Sequence, residues 1–312
     1  MSAIAAPPPA WAQYPDHPIR VVLPYAPGAA GDIAFRQIQP LLEKRLGQPV
    51  VLDYKTGAGG NIGAQEVARA KPDGYTLVLG AANNFVINPF LYRKLGFDPL
   101  ADLVPVGKLA DVPAFIYLST QVPASDYAQF AQYAREQAGK LNYGSPGMGT
   151  TPHLSGYRLS KAMGANMTHI AYRGSAPGVQ ALIANEIQLY IGGYSIGAAY
   201  MPQRKVRALA VAAPQRFAGL PDVPTAAEIG MPDVVRGNWW GFAAPKDTPA
   251  DRVSRFAGAL HDALSQPQVR QAYLANGFVP GQDTPAEFGA IWREEARQWQ
   301  SVVRESGVVL DN

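Results

Sequence analysis

The chain has 312 residues, 47% of them hydrophobic and 16% charged, with a formal net charge of +3 and no cysteine. That length exceeds one ordinary domain of ~100–200 residues, so two lobes are expected. The mild charge, with no lysine or arginine block, argues against nucleic acid or anionic membrane as partners, and the missing cysteine excludes disulfides, thiol catalysis and thiolate metal sites.

Residues 1–12 are small, apolar and proline-rich, and Ala10-Trp11-Ala12 before Gln13 has the A-x-A form of a signal-peptidase site. We read this segment as the remnant of a truncated signal peptide, with an exported mature chain beginning near Gln13; a flexible cytosolic tail is the alternative. No later stretch approaches the ~18–20 apolar residues of a membrane span.

Ile19 to Leu23 predicts a buried strand, followed by the loop Pro24-Tyr25-Ala26-Pro27-Gly28-Ala29-Ala30-Gly31-Asp32 and a helix carrying Ile33, Ile38, Leu42 and Leu46. Gly28 and Gly31 leave amides uncovered, and the helix aims its unpaired N–H groups at the same spot, which suits an anion. Asp32 is expected to cap that helix and Pro40 to kink or divide it. Val50 to Tyr54 reads as a second strand, Thr56 to Gly63 as a glycine-rich turn before a short helix to Ala70, and Tyr75 to Leu79 as a third strand. Alternation of strand and helix implies a parallel sheet with ligands at the strands' carboxyl ends.

The apolar stretch Val106 to Leu118, interrupted by Asp111 and Pro113, marks where the chain is expected to leave the first lobe. A second series follows: helix Ser125 to Gln137, strand Leu141 to Tyr143, loop Gly144 to Pro152, a helix to Met163, strand His169 to Tyr172, a loop to Pro177, a helix to Ala184, then strands Ile187 to Ile191 and Val206 to Ala212. Asn238 to Pro245 reads as a return strand, and everything beyond it as helical: Ala250 to Leu264, Gln268 to Ala275 and Pro285 to Ser306. Two crossings make a hinge, with a cleft between the lobes.

Four strand ends share one composition, in the opening loop, Thr56 to Gly63, Gly144 to His153, and Tyr172 to Pro177. Thr151 suits a helix N-cap with Pro152 first in the helix, and Pro177 suits the same first position in its own helix. Ser145, Thr150, Thr151, Tyr172 and Ser175 then stand as neutral donors beside helix N-termini, an arrangement fitted to carboxylates. Gly57, Gly59 and Gly63 have the wrong spacing for a dinucleotide fingerprint, and no P-loop occurs. None of the four histidines has metalloprotease spacing, so neither cofactor nor metal is expected. A hydrolase using Ser145 or Thr150 with His153 is an alternative, without a G-x-S-x-G elbow.

Pro24 to Asp32 resembles the first-loop signature of the Bug family, the periplasmic receptors of tripartite tricarboxylate transporters. The likeness continues through Gly57 to Gly63, Lys71 to Leu77, Gly144 to Leu154, Tyr172 to Pro177 and Leu220 to Thr225, covering Tyr14 to Val309 in the same order. The resemblance implies a type II periplasmic-binding-protein fold, α/β in class, whose two lobes close over an organic carboxylate. It also implies that the first loop and the Asn61–Gly63 turn, Ile62 included, hold one carboxylate, often through waters, while second-lobe loops hold the distal part. Gln188 and Gly192 stand where many relatives carry aspartate, which favours a dianion over an amino group.

We therefore expect a receptor rather than an enzyme, a monomer, with a first lobe at 13–111 plus 241–312 and a second at 112–240. Its ligand should be a small carboxylate, a dicarboxylate and one that an aromatic ring would suit; a sensory receptor serving a membrane kinase is the runner-up. The candidate site comprises Tyr25, Pro27, Gly28, Ala29, Gly31 and Asp32; Asn61, Ile62, Gly63 and Asn83; Ser145, Gly149, Thr150, Thr151 and His153; and Tyr172, Arg173, Gly174, Ser175 and Tyr194. Arg173 is singled out as a clamp for a second carboxylate, with Tyr25, Phe85, Tyr194, Trp239 and Trp240 as flat walls.

Overall fold

A computed structural model describes residues 14–311, so the expected signal-peptide remnant at 1–12 lies outside the described residues. The first strand, β1 (Ile19–Leu23), leads into α1 (Ala30–Leu46), β2 (Val50–Tyr54), α2 (Asn61–Ala68) and β3 (Thr76–Ala81). Two short helices, α3 (Asn88–Leu91) and α4 (Pro99–Asp102), precede β4 (Leu103–Val112), and after Pro113 the chain enters β5 (Ala114–Ser119). Then come α5 (Tyr127–Glu136), β6 (Asn142–Ser145), α6 (Thr151–Met163), β7 (Thr168–Ala171), α7 (Ser175–Ile183), β8 (Leu189–Gly192), α8 (Tyr194–Tyr200) and β9 (Val206–Ala212). The return strand β10 (Asn238–Pro245) is followed by α9 (Ala250–Leu264), α10 (Pro267–Ala275), β11 (Val279–Pro280) and α11 (Pro285–Ser306).

These strands form two sheets, ordered β11-β4-β10-β3-β1-β2 and β7-β6-β8-β5-β9. Neither is wholly parallel, as the alternation alone implied: β10 runs antiparallel to β3 and β4, and β5 runs antiparallel to β8 and β9. Each sheet is covered on both faces. Ile19, Val21 and Leu23 join Phe35, Ile38 and Leu42 on one side of the first sheet, and Val22 joins Phe85, Phe288 and Trp292 on the other. In the second sheet Ile116 and Leu118 pack with Phe130 and Leu159, while Phe115 and Tyr117 pack with Leu182 and Phe217.

The connections between the sheets lie side by side. Pro113, without an N–H to give a ladder, separates β4 from β5. On the return, a Cβ at Gly237 would fall 2.7 Å from the carbonyl oxygen of Val112, so only glycine allows the two segments to pass this closely.

Several local expectations are corrected. Pro40 lies inside α1 without dividing it, on the exposed side, while Phe35, Ile38, Leu42 and Leu46 hold both flanking turns in the core. Ile33 is exposed, because the buried stripe runs through Ala34 and Phe35 instead. The N-cap of α1 is Ala29, not Asp32, and that of α6 is Thr150, one residue before Thr151. Helix α7 starts at Ser175, leaving Pro177 third. The segment beyond β10 is not all helix, since β11 adds an edge to the first sheet beside β4. Neither α8 nor the helical turns between β3 and β4 are apparent from apolar periodicity, being short and glycine- or asparagine-rich. Among the described residues no helix is long and apolar enough to cross a membrane.

Candidate functional site

A cavity of about 320 Å³ opens between the two sheets. Tyr25, Asn83, Asn88 and Tyr92 line it from the first sheet's side, residues 148–152, Ser175 and Gly192-Gly193 from the second, and Val112, Pro113, Arg236 and Asn238 from the connections. It is of a size for a small ligand.

On the first side the polar wall is built by asparagines. After β3 the chain forms a π-helical turn, Asn83–Ile87, a form that concentrates at functional sites. Asn84, fully buried, accepts from the N–H of Ala81 and the Tyr25 hydroxyl, both at 3.0 Å, and donates to the carbonyl of Gly59 at 3.0 Å. Asn88 donates to Oδ1 of Asn61 at 2.6 Å, whose own Nδ2 is buried and unpartnered. These bonds fix the Gly57–Gly60 turn, where Gly59 has φ 63° and Gly60 φ 91°. Burial raises the Tyr25 phenol well above its ordinary value, so it serves as a neutral donor.

The opening loop holds an anion of its own. The N–H of Gly28 donates to Oδ2 of Asp32 at 2.7 Å, while Oδ1 accepts from Arg36 Nε at 2.8 Å and the Tyr54 hydroxyl at 2.9 Å. Of this loop's candidates Tyr25 lines the cavity; Pro27, Gly28, Ala29, Gly31 and Asp32 do not. Gly31 acts through its neighbour, since a Cβ there would collide with the ring of Trp240, which does line the cavity.

On the second side α6 aims its N-terminus at the cavity. The Thr150 hydroxyl donates to the carbonyl of Gly147 at 2.7 Å and accepts from the N–H of His153. His153 Nδ1 accepts from the N–H of Gly149 at 3.0 Å, and its ring stacks on His169 with centroids 3.7 Å apart. Burial pushes both imidazoles down to about 4, which keeps them neutral and lets His153 act as an acceptor. Ser145, fully buried, sits 2.7 Å from His169 Nε2 rather than near His153, and its hydroxyl is tied to Gly147. The Ser145/Thr150 with His153 hydrolase is thereby corrected: neither hydroxyl meets the His153 ring, and Ser145 does not reach the cavity.

Asn83 joins the two sides. It donates to the carbonyl of Gly149 at 3.1 Å and accepts from the Thr151 hydroxyl at 3.2 Å. Away from the cavity Tyr157 and Lys161 of α6 both meet Glu305 of α11 at 2.7 Å.

Asn83, Gly149, Thr150, Thr151 and Ser175 thus line the cavity with Tyr25, whereas Asn61, Ile62, Gly63, Ser145, His153, Tyr172, Arg173, Gly174 and Tyr194 do not. Ile62 and Arg173 are exposed, and Gly63 is pressed against Pro24 and Lys55. Tyr194 packs on Phe217 with centroids 4.9 Å apart and against Gly277. Of the expected walls, Trp239 and Phe85 are core, stacked on each other and on Trp292. Gln188 lies just before β8, at the end away from the cavity, bonded to Asn142 and Asn185, so the lack of an aspartate there has no bearing on the cavity.

Gly192, singled out for its missing aspartate, does line the cavity, whereas sequence reasoning missed Asn88, Tyr92, Gly193, Arg236 and Asn238. The cluster Asn83-Asn84 with Asn88 in an apolar run, and a glycine pair at a strand end, were the available signals.

Comparison with known proteins gives a consistent picture. The family model described as tripartite tricarboxylate transporter family receptor matches residues 34–308. The UPF0065 protein in the tcbD-tcbE intergenic region of Pseudomonas sp. is 32% identical over 94% of this chain and 87% of its own length. Protein BugT of Bordetella pertussis is 30% identical over 95% of this chain and 91% of its own. Among solved structures, MatC of Rhodopseudomonas palustris with bound malate is 31% identical with TM-score 0.77, covering 93% of this chain and 100% of that one. An R. palustris protein with adipate is 29% identical with TM-score 0.81, covering 96% and 100%.

Proposed function

Because the chain belongs to the tripartite tricarboxylate transporter receptor family, a family of substrate-binding proteins rather than enzymes, we propose that it captures a small dicarboxylate between its lobes and presents it to the membrane components of such a transporter. The observation that carries this reading is the cavity's chemistry. Asn83 and Asn238 keep amide N–H groups and Ser175 its hydroxyl beyond the hydrogen bonds described above, Thr150 and Thr151 bring the N-terminus of α6 to the wall, and no aspartate or glutamate lines the cavity among the described residues. An entering anion meets hydrogen-bond donors and helix N-termini without like-charge repulsion.

With Val112 and Asn238 paired in the first sheet, residues 13–112 with 238–312 would form one lobe and 113–237 the other, in an exported, periplasmic monomer. The malate and adipate of two neighbours support an aliphatic dicarboxylate, and Tyr25 beside Trp240 provides a flat wall for an aromatic one. Calorimetry over mono-, di- and tricarboxylates tests the reading. One-to-one binding of a dicarboxylate, recovered chemically unchanged, is expected; absence of binding by every carboxylate overturns it.

A further inference from the structure

Arg236 is the one charged side chain lining the cavity among the described residues. It stands two residues before β10, at the connection where the chain returns to the first sheet. Its backbone N–H donates to the Ser155 hydroxyl of α6 at 3.2 Å, and Asn238 pairs in register with Val112, so the stem of this residue is anchored on both sides. The side chain is only 21% exposed.

The guanidinium is under-used. Of its five N–H donors, one is engaged, by Nη2 to Oδ1 of Asp233 at 2.9 Å. Nε is buried and has no acceptor. Asp233 itself is 74% exposed, so that pair is screened by water. Glu295 of α11, held by the Trp239 indole N–H at 2.9 Å, feels the charge of Arg236 without a hydrogen bond to it, so the guanidinium keeps its donors for another partner. A buried donor without an acceptor beside a cavity of otherwise neutral donors is where a planar anion gains most.

We propose that Arg236 reads the second negative charge of the ligand, its unpaired Nε–H and a free Nη–H closing side by side on a carboxylate at the connection end of the cavity. The assignment rests on the carboxylate reading above. It places the charge sensor at the hinge rather than in the second-lobe loop that carries Arg173, which is exposed and outside the lining. A ligand with one carboxylate is held by the neutral donors alone; a dianion fills the arginine as well.

The test is calorimetry of succinate, glutarate, adipate and terephthalate, each against the monocarboxylate of the same skeleton, on the wild type and on Arg236→Gln, Arg236→Lys and Arg173→Gln, with apo melting curves to verify folding. Arg236→Gln should weaken the preferred dicarboxylate at least ~30-fold while leaving its monocarboxylate partner within about threefold, and Arg236→Lys should recover part of the loss because an ammonium lacks the planar fork. Equal losses for both ligand classes, no loss, or a loss seen in Arg173→Gln instead overturns the assignment. A wild type that holds monocarboxylates as tightly as dicarboxylates overturns it while the carboxylate reading stands. A wild type that binds neither class removes that reading itself.

Discussion

Gly31 faces the indole of Trp240 so closely that a Cβ would lie 2.1 Å from ring atom Cε3, well inside any real contact. Trp240 in turn meets Tyr25 edge to face at 4.9 Å, and both rings line the cavity. Gly31→Ala should therefore push the ring or the start of α1, costing ~1–3 kcal/mol as overpacking does and weakening the ligand ~10-fold. Urea melts and calorimetry check both effects, and Trp240→Leu in the same chain should restore much of the lost stability. Additive losses in the double variant would show that the two residues are not in conflict.

Asp32 is a second internal support. Only 4% exposed, it satisfies Gly28, Arg36 and Tyr54 together. Asp32→Ala should cost ~2–3 kcal/mol, because the Gly28 amide loses its acceptor and the arginine its charge partner. Asp32→Asn should fall between, keeping shape but turning one acceptor into a donor. Equal stability of all three chains in denaturant would contradict this account.

Asn83 bonds both Gly149 and Thr151 across the cleft. Asn83→Ala removes those ties and should shift the unliganded protein toward a more open form, seen as a larger radius of gyration in solution scattering and ~5-fold weaker binding. An unchanged scattering profile with unchanged affinity would mean that other contacts, such as Glu305 with Tyr157 and Lys161, set the lobe spacing alone.

The stacked His153 and His169 predict a pH dependence. Both are held down to about 4 when folded, against an ordinary value near 6.5, so below pH 6.5 the unfolded chain takes up protons that the folded one refuses. Stability contributed by the neutral pair is full above about pH 6.5 and is lost as pH falls toward 4. Protonated His153 Nδ1 no longer accepts from Gly149, so the start of α6 at Thr150–Thr151 should loosen over the same range. Melting temperature measured from pH 7.5 to 4 should fall more steeply in the wild type than in His153→Gln/His169→Gln.

Most strands were legible because they are short, mainly apolar runs: Ile19–Leu23, Val206–Ala212 and Asn238–Pro245 stand where the sequence put them. The four backbone-rich loops were legible for the same reason, since glycine and proline mark where side chains step aside. What sequence hid is how far each loop reaches. Asp32 lies next to the expected anion site, yet it bonds its own loop; Ser145 ends a strand, yet it faces His169 inside the lobe. Arg236 carries no motif, and its place depends on β10 returning beside β4, a pairing of residues far apart in the chain that no local pattern encodes.

That pairing has an architectural consequence. Val112 ends β4, Asn238 begins β10, and the two are direct antiparallel partners in one sheet. Seen this way, everything from Pro113 to Gly237 is an insertion at the tip of a β-hairpin. Joining Val112 to Asn238 through a two-residue Asn-Gly turn should give a shortened chain whose first sheet keeps its strand order and its buried faces.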